Sequence, residues 1–484
     1  MSPSRAGERG SALPLALLVL TLLTVLVLAY LAVAAMEPTI SRNLADGARA
    51  RAVAEAGLEW SLLAIAARDF TELLAGPDGR AGTADDAVPS GVAGLAASVD
   101  VARDQALPGL GGAEGRFTVT ARNDSAPAAG SHPGDGALTG LGALDPGGDK
   151  VDANGVLLLT ATGAVSRGLL VTRRSIQVVV ERPALPVAGA LSLAGLRADV
   201  RAGDALALDG RDARVDDAWI APAGTGPLLL SIATRAGVQA SVAPLTYEER
   251  ARQAFDTPER RARLEGRDPA AIGAARGEVT IAADPRVGAA EVAAFLAEIA
   301  ANPAIAVLRA SETCPLTLAG DGTGAVNEAR VVSRGGGCPA PSAGTAVDLG
   351  TRARPRVVYV RGDGPRDTPW PGLRLQGRLR GVGLLVVEEG VLDLDADELE
   401  WEGLIVVAGR RVGAAVSSRT RARLTGALLV DEREADASAG PPQLAVDGAL
   451  AVRASAEARG RALGAPALLR VRGWREDVAC AGCP

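Results

Sequence analysis

Residues 383–409 read GLLVVEEGVLDLDADELEWEGLIVVAG. A glycine followed by four apolar residues opens the stretch at Gly383 and returns at Gly403. Between them Leu392, Leu394 and Ala396 alternate with Asp393, Asp395 and Asp397. Alternation marks a strand that is wet on one face. The unit recurs as GALLV from Gly426 and GALAV from Gly448, and RVVYVRGD from Arg356 is an irregular first copy. Copies spaced by roughly 20 to 23 residues are too short to fold alone, and stacking them buries one continuous core. The spacing predicts a short β-solenoid over residues 356–455.

The same stretch holds Asp393, Asp395, Asp397, Glu398, Glu400 and Glu402. Paired carboxylates on a β-solenoid can flank a glycosidic bond, one as acid and one as base or nucleophile. The alternation with leucine and alanine accounts for the aspartates as the wet face of a strand, with no substrate required.

Upstream, residues 184–355 mix strand-like and helical patterns. GALSLAGLRADVRAGDALALDG from Gly189 reads as short strands, while TYEERARQAFDTPERRARLEG from Thr246 and AAEVAAFLAEIAANP from Ala289 read as helices. Residues 76–183 read as a small β-rich domain, with FTVTAR at Phe117, VLLLTATGAV at Val156 and RRSIQVVVERP at Arg173 as strands. Two acidic loops interrupt it. One holds Asp78, Asp85 and Asp86, and the other Asp145, Asp149, Asp152 and Asn154. Oxygen ligands between glycine turns suit calcium, the one cofactor these loops suggest. Neither has the spacing of an EF-hand, and such clusters also serve as plain turns.

The composition limits the chemistry. At 484 residues the chain has room for two or three domains. A net charge of −6 and 2% aromatic residues give no basic face or stacking platform, which argues against nucleic acid as a partner. Almost every basic residue is arginine, with Lys150 the only lysine. The single histidine, His132, lies in a loop of Gly, Pro, Ser and Asp, so a Ser-His-Asp or Cys-His relay has no framed base. The four cysteines, Cys314, Cys338, Cys480 and Cys483, suit an oxidising compartment. Of three connectivities, proximity favours Cys314 with Cys338 and Cys480 with Cys483, the first closing a loop worth about 3 kcal/mol. The final CAGC has redox spacing without the strand-to-helix context that lowers a thiol pKa, and reads as a staple. Residues 456–484 form a C-terminal tail in this reading.

At the other end, ERGSALPLALLVLTLLTVLVLAYLAVAA runs from Glu8, and no charge falls between Ser11 and Met36. Residues 11–36 are long enough to span a bilayer and longer than the apolar part of a cleaved secretory signal. Ala32-Val33-Ala34 does have the small residues of a signal-peptidase site. Arginines flank both ends, so charge does not orient the span, and the cysteines place the bulk of the chain outside the cytosol. Residues 37–75 continue as a helix with a small or apolar stripe at Ile40, Leu44, Ala48, Ala52, Ala56, Trp60 and Leu63. Pro38 is expected to kink or restart the helix, with Ser41 as a cap.

RG before a long apolar run, followed by RNLADGARARAVAEAGLEWSL, resembles PilX-type minor pilins and related type IV pilus assembly proteins. The match is specific over about the first 75 residues, where Glu55, Ala56, Gly57 and Leu58 form the family's EAGL element, followed by Trp60. The resemblance implies a leader of residues 1–10 cut by prepilin peptidase between Gly10 and Ser11. It also implies an inner-membrane helix that later packs in a filament, with other pilins or assembly proteins as partners. Major pilins carry a glutamate at the fifth mature position, where this chain has Leu15 after Pro14. Loss of that carboxylate removes a charge-assisted contact and points to a rare, initiating or tip-located subunit. The expected fold is α+β: a membrane-spanning helix, a small β-rich domain, an inserted helical segment and a β-solenoid. The expected function is structural rather than catalytic, on the inner membrane with a periplasmic body or on the assembled pilus. The alternative is an exported β-helix adhesin or polysaccharide-active surface protein.

Overall fold

The computed structural model describes residues 12–477 apart from 67, 69, 77–98, 108–113, 126–144, 146–147, 153, 184, 186, 188, 212, 214, 216–229, 238–244, 266–280, 285–286, 321–326, 333–336, 339–340, 364–369 and 434–441. Helix α1 runs from Ala12–Ala66 without interruption, and Pro38 lies inside it. The expected restart at Ser41 does not occur. Proline forfeits one hydrogen bond to the preceding turn, and strong helix formers on both sides carry the helix through.

Strands β1 (Val99–Leu107), β2 (Glu114–Asn123), β3 (Val156–Arg167) and β4 (Leu170–Glu181) form an antiparallel sheet in that order. Its fifth strand is Arg470–Asp477, drawn from the residues read as a tail, and it pairs antiparallel with β4. One face of this sheet packs on the second half of α1, with Ala54, Ile65, Leu157, Leu159, Ile176 and Val178 in the shared core.

Among the described residues, the remaining strands form a second sheet of 17 strands, mixed in direction but dominated by parallel pairs. Its first strip runs through residues 281–283, 230–234, 189–193, 428–430, 403–409, 383–388, 356–361 and 307–309, every neighbour parallel. A second strip passes through 316–319, 371–377, 391–396, 414–416, 444–446 and 200–201. A third takes 399–403, 421–426, 449–454, 205–209 and 264–265. The strands of 189–283 and those of 356–454 therefore share one ladder. At one end the order turns antiparallel, where Leu316–Gly320, Glu328–Val331 and Ala346–Asp348 pair and the Cys314–Cys338 disulfide lies.

Gly383, Gly403 and Gly426 stand in register, each with φ between +133° and +137°. Only glycine adopts that conformation readily, and a Cβ on Gly403 would overlap the Gly383 carbonyl oxygen. The fourth copy differs from the expectation. Leu428, Leu429 and Val430 are continued by Leu191, Ser192 and Leu193 of the GALSL segment, while Gly426 lies opposite Ala454. GALAV at Gly448 thus lies within the third strip, between 421–426 and 205–209, and is not the next Gly-led copy.

Residues Leu385 and Val387 face the interior, and Leu384 and Val386 face an outer apolar layer, so the GLLVV run is buried on both sides. The void among Leu394, Trp401, Ile405, Val416, Leu424 and Leu428 amounts to about 10 Å³, no more than a single water. Helix Ala289–Ala300 covers the outer layer with Val292, Phe295, Leu296 and Ile299, spaced to share one helical face. This helix connects residues 281–283 at one end of the first strip to 307–309 at the other. The TYEERARQAFDTPERRARLEG helix is broken into Tyr247–Arg252, Gln253–Phe255 and Pro258–Arg261.

Candidate functional site: a helix with one docked half

Among the described residues, nothing packs on the first half of α1. Leu13, Leu15, Leu20, Leu28 and Met36 are between 60% and 75% exposed, and the bare region continues through Ile40 and Leu44. By length and composition this helix can cross a membrane. Leu15, at the position where the resemblance expects a carboxylate, presents only an apolar side chain.

From Gly47 onward the helix docks on the antiparallel sheet through a face of small residues. Gly47, Ala50, Val53, Ala54, Gly57, Ser61 and Ile65 are buried, repeating at helical spacing. A Cβ on Gly163 of β3 would overlap the Ala50 carbonyl oxygen, and one on Gly57 would stand 2.8 Å from the Phe117 ring. Backbone therefore meets backbone at Gly163, and the Gly57 backbone lies against the Phe117 ring.

The EAGL element falls within this docked half. Gly57 is buried, Leu58 and Ala56 are half-buried, and Trp60 lies 6.0 Å from Phe117 while remaining 45% exposed. Glu55 accepts from Arg51 at 2.9 Å, and Arg51 also reaches Glu476 of the C-terminal strand at 3.1 Å. The stripe read from the sequence occupies the opposite side: Ile40, Leu44, Ala48, Ala52, Trp60 and Leu63 are exposed. The two stripes are interleaved, and the glycine-bearing one is the one a sheet can approach.

The acidic run resolves into ion pairs between neighbouring strands. Register sets Arg374 beside Asp393, Gln376 beside Asp395 and Arg380 beside Glu400. Asp393 pairs with Arg374 at 2.7 Å, Glu400 with Arg380 at 3.6 Å and Arg423 at 3.3 Å, and Glu402 with Arg352 at 2.6 Å and with Arg461. Glu398 lies 3.9 Å from Arg423, and Asp397 is exposed. Burial, the largest single influence on Asp395, pushes its pKa up, but hydrogen bonds from Arg419, Ser417 and Gln376 outweigh it and hold the group low. A general acid needs the reverse shift. These contacts tie neighbouring strands together: the exposed pairs, such as Glu400 with Arg423, are individually worth about 0–1 kcal/mol, while Glu402 is buried between two arginines.

In the other acidic loop, Asp124 and Asp145 are both 3% exposed. Asn154 donates to both Asp124 oxygens at 3.1 Å, and Asn123 donates to Asp145 at 3.2 Å. Asp149 accepts from Ser125, and Asp152 accepts from the Gly155 N–H at 2.8 Å. Burial, and secondarily Asp145, raises the Asp124 pKa. Among the described residues no three His, Cys, Asp or Glu side chains come together as a metal site. Gly10, Ser11, Asp78, Asp85, Asp86, His132, Cys480 and Cys483 lie outside the described residues.

No family model matches the chain, and no curated protein matches it. Among solved structures, the competence-associated pilin ComZ from Thermus thermophilus aligns with 89% of this chain and 97% of its own length, at 14% identity and a TM-score of 0.24. That score is too low to establish a shared fold, so the long helix and the two sheets themselves must carry the functional reading.

Proposed function

We propose that this chain is a structural, non-catalytic, minor-pilin-like subunit or assembly factor of a type IV pilus or related filament. Prepilin peptidase cuts it between Gly10 and Ser11, α1 holds it in the inner membrane, and the body stands on the periplasmic side. The observation that carries the reading is the division of α1. Its first half is an apolar rod without partners among the described residues, and its second half is fixed to an antiparallel sheet by a small-residue face. A helix bare over about eight turns has its partners elsewhere, in lipid before assembly and among other helices after it. Leu15 in place of a carboxylate fits a subunit that starts or tips a filament. In this reading the parallel ladder is a β-solenoid, presented as a large head that would be hard to accommodate along a packed shaft.

N-terminal sequencing of the protein from its own membranes, with and without active prepilin peptidase, tests this directly. The expected result is a mature chain beginning at Ser11 only when the peptidase is active. A start near Met36 would make the apolar run a discarded signal and leave the exported adhesin in its place.

A further inference from the structure

We infer that the β3–β4 hairpin tip is a second membrane contact, which dips Leu169 and Leu170 into the headgroup–acyl boundary of the bilayer that α1 crosses. The inference rests on the reading of α1 as a membrane anchor and adds a surface that reading does not need.

The hairpin is paired without a break from Val156↔Glu181 to Arg167↔Leu170, leaving Gly168 and Leu169 as a two-residue turn. Gly168 has φ +62°, as the first central residue of a type II′ turn requires. Turns of this kind are ordinarily polar. Here Leu169 is 101% exposed, Leu170 77% and Val171 50%, and no packing among the described residues explains them.

The position of the tip follows from three contacts along the hairpin. At its base Arg182 donates to the carbonyl oxygens of Ile65, at 3.1 Å, and Arg68. In its middle Gly163 meets the backbone of Ala50 and Ala54, and nearer the tip Arg167 pairs with Asp46 at 3.5 Å. The hairpin thus runs along α1 toward its N-terminal end. Leu169 lies six residues beyond Gly163, about 20 Å of strand, which equals about 13 residues of helix. That sets the leucines level with residues 37–41, just above Met36, where the uncharged run ends.

The flanking charges fit the same surface. Arg167 and Arg173 lie on either side of the turn, both exposed, and Arg42 projects from α1 at a similar level. Apolar side chains at a tip, with guanidinium groups behind them, match the chemistry of an anionic phospholipid interface.

The test uses the full chain in vesicles of zwitterionic and anionic phospholipid carrying brominated acyl chains. A fluorescent amino acid replaces Leu169, Leu22 in the anchor, or Asp397 on the far body, one at a time. The expected result is strong quenching at Leu22, none at Asp397, and at Leu169 at least about a third of the Leu22 value, independent of protein density. Quenching at Leu22 with none at Leu169 overturns the hairpin contact alone. No quenching at Leu22 removes the anchor and this inference together. A Leu169 probe shielded only at high protein density, without quenching by lipid, assigns the tip to a second copy of the chain and overturns the membrane contact.

Discussion

Asp431 and Glu432 are adjacent, both 0% exposed, at the seam where residues 428–430 lie beside 191–193. Their surroundings treat them differently. Glu432 accepts N–H bonds from Arg411 at 2.8 Å and Val412 at 2.7 Å and lies 3.6 Å from the equally buried Arg197, so its charge is compensated. Asp431 is held by Arg433 at 2.9 Å through one oxygen, and its other oxygen has no hydrogen-bond partner among the described residues. Burial therefore pushes the Asp431 pKa above its ordinary 3.8, with Arg433 only partly opposing the shift. A carboxyl raised in the folded state favours folding while protonated. That contribution is full below 3.8 and is lost as pH rises through the raised native value. We predict that Asp431→Asn removes this dependence. Urea midpoints measured across pH should show the variant gaining on wild type as pH rises above the ordinary carboxylate range; parallel curves would show that Asp431 ionises without penalty.

At the scale of elements, the α1–β3 crossing sets backbone directly against backbone. A single methyl at Gly163 meets main-chain atoms of Ala50 and Ala54, which cannot rotate away. Gly163→Ala should cost about 1–3 kcal/mol through overpacking, read as a lower urea midpoint with an unchanged slope. A variant as stable as wild type would mean that α1 shifts freely on the sheet. This crossing also marks where sequence reading stops. The sequence reveals that residues 37–66 are helical and that small residues recur on them, but two small-residue stripes share the helix. Which stripe docks depends on Gly163 and Phe117, more than 50 residues away. The Gly383, Gly403 and Gly426 repeat was legible because apolar runs buried on both faces leave a dense local signal. GALAV at Gly448 had the same composition and a different position, since register follows the neighbouring strand in space. The acidic alternation was readable as a wet face, but the arginines opposite it come from adjacent strands and carry no pattern of their own.

The whole molecule is organised by where the chain passes into and out of the ladder. Residues 189–193 join the first strip in its middle, beside 428–430, and the chain works outward to 281–283 before helix Ala289–Ala300 carries it to the opposite end. From 307–309 it works back inward and finishes at 449–454, next to 205–209. The first and last segments of the body are therefore neighbours, and Arg459 donates to the Val187 carbonyl oxygen across the gap. On the smaller sheet, Glu181 stands directly opposite Arg470. A folded body whose ends meet imposes little loop-closure cost on the strands that hold it. Two local contacts at the junction belong to the smaller sheet: the Arg182 guanidinium lies 3.5 Å from the Phe70 ring centroid, and Leu469 packs on the core beneath α1. We predict that replacing residues 183–468 with Asn-Gly, which lets Arg182 and Leu469 flank a two-residue turn, leaves α1 and the five antiparallel strands folded in detergent. Hydrogen exchange should find the amides of Leu157, Leu159 and Val178 still protected, within about tenfold of the full chain. Complete exchange at those amides would mean that the parallel body holds the smaller sheet together, and that the two are one folding unit despite their separate cores.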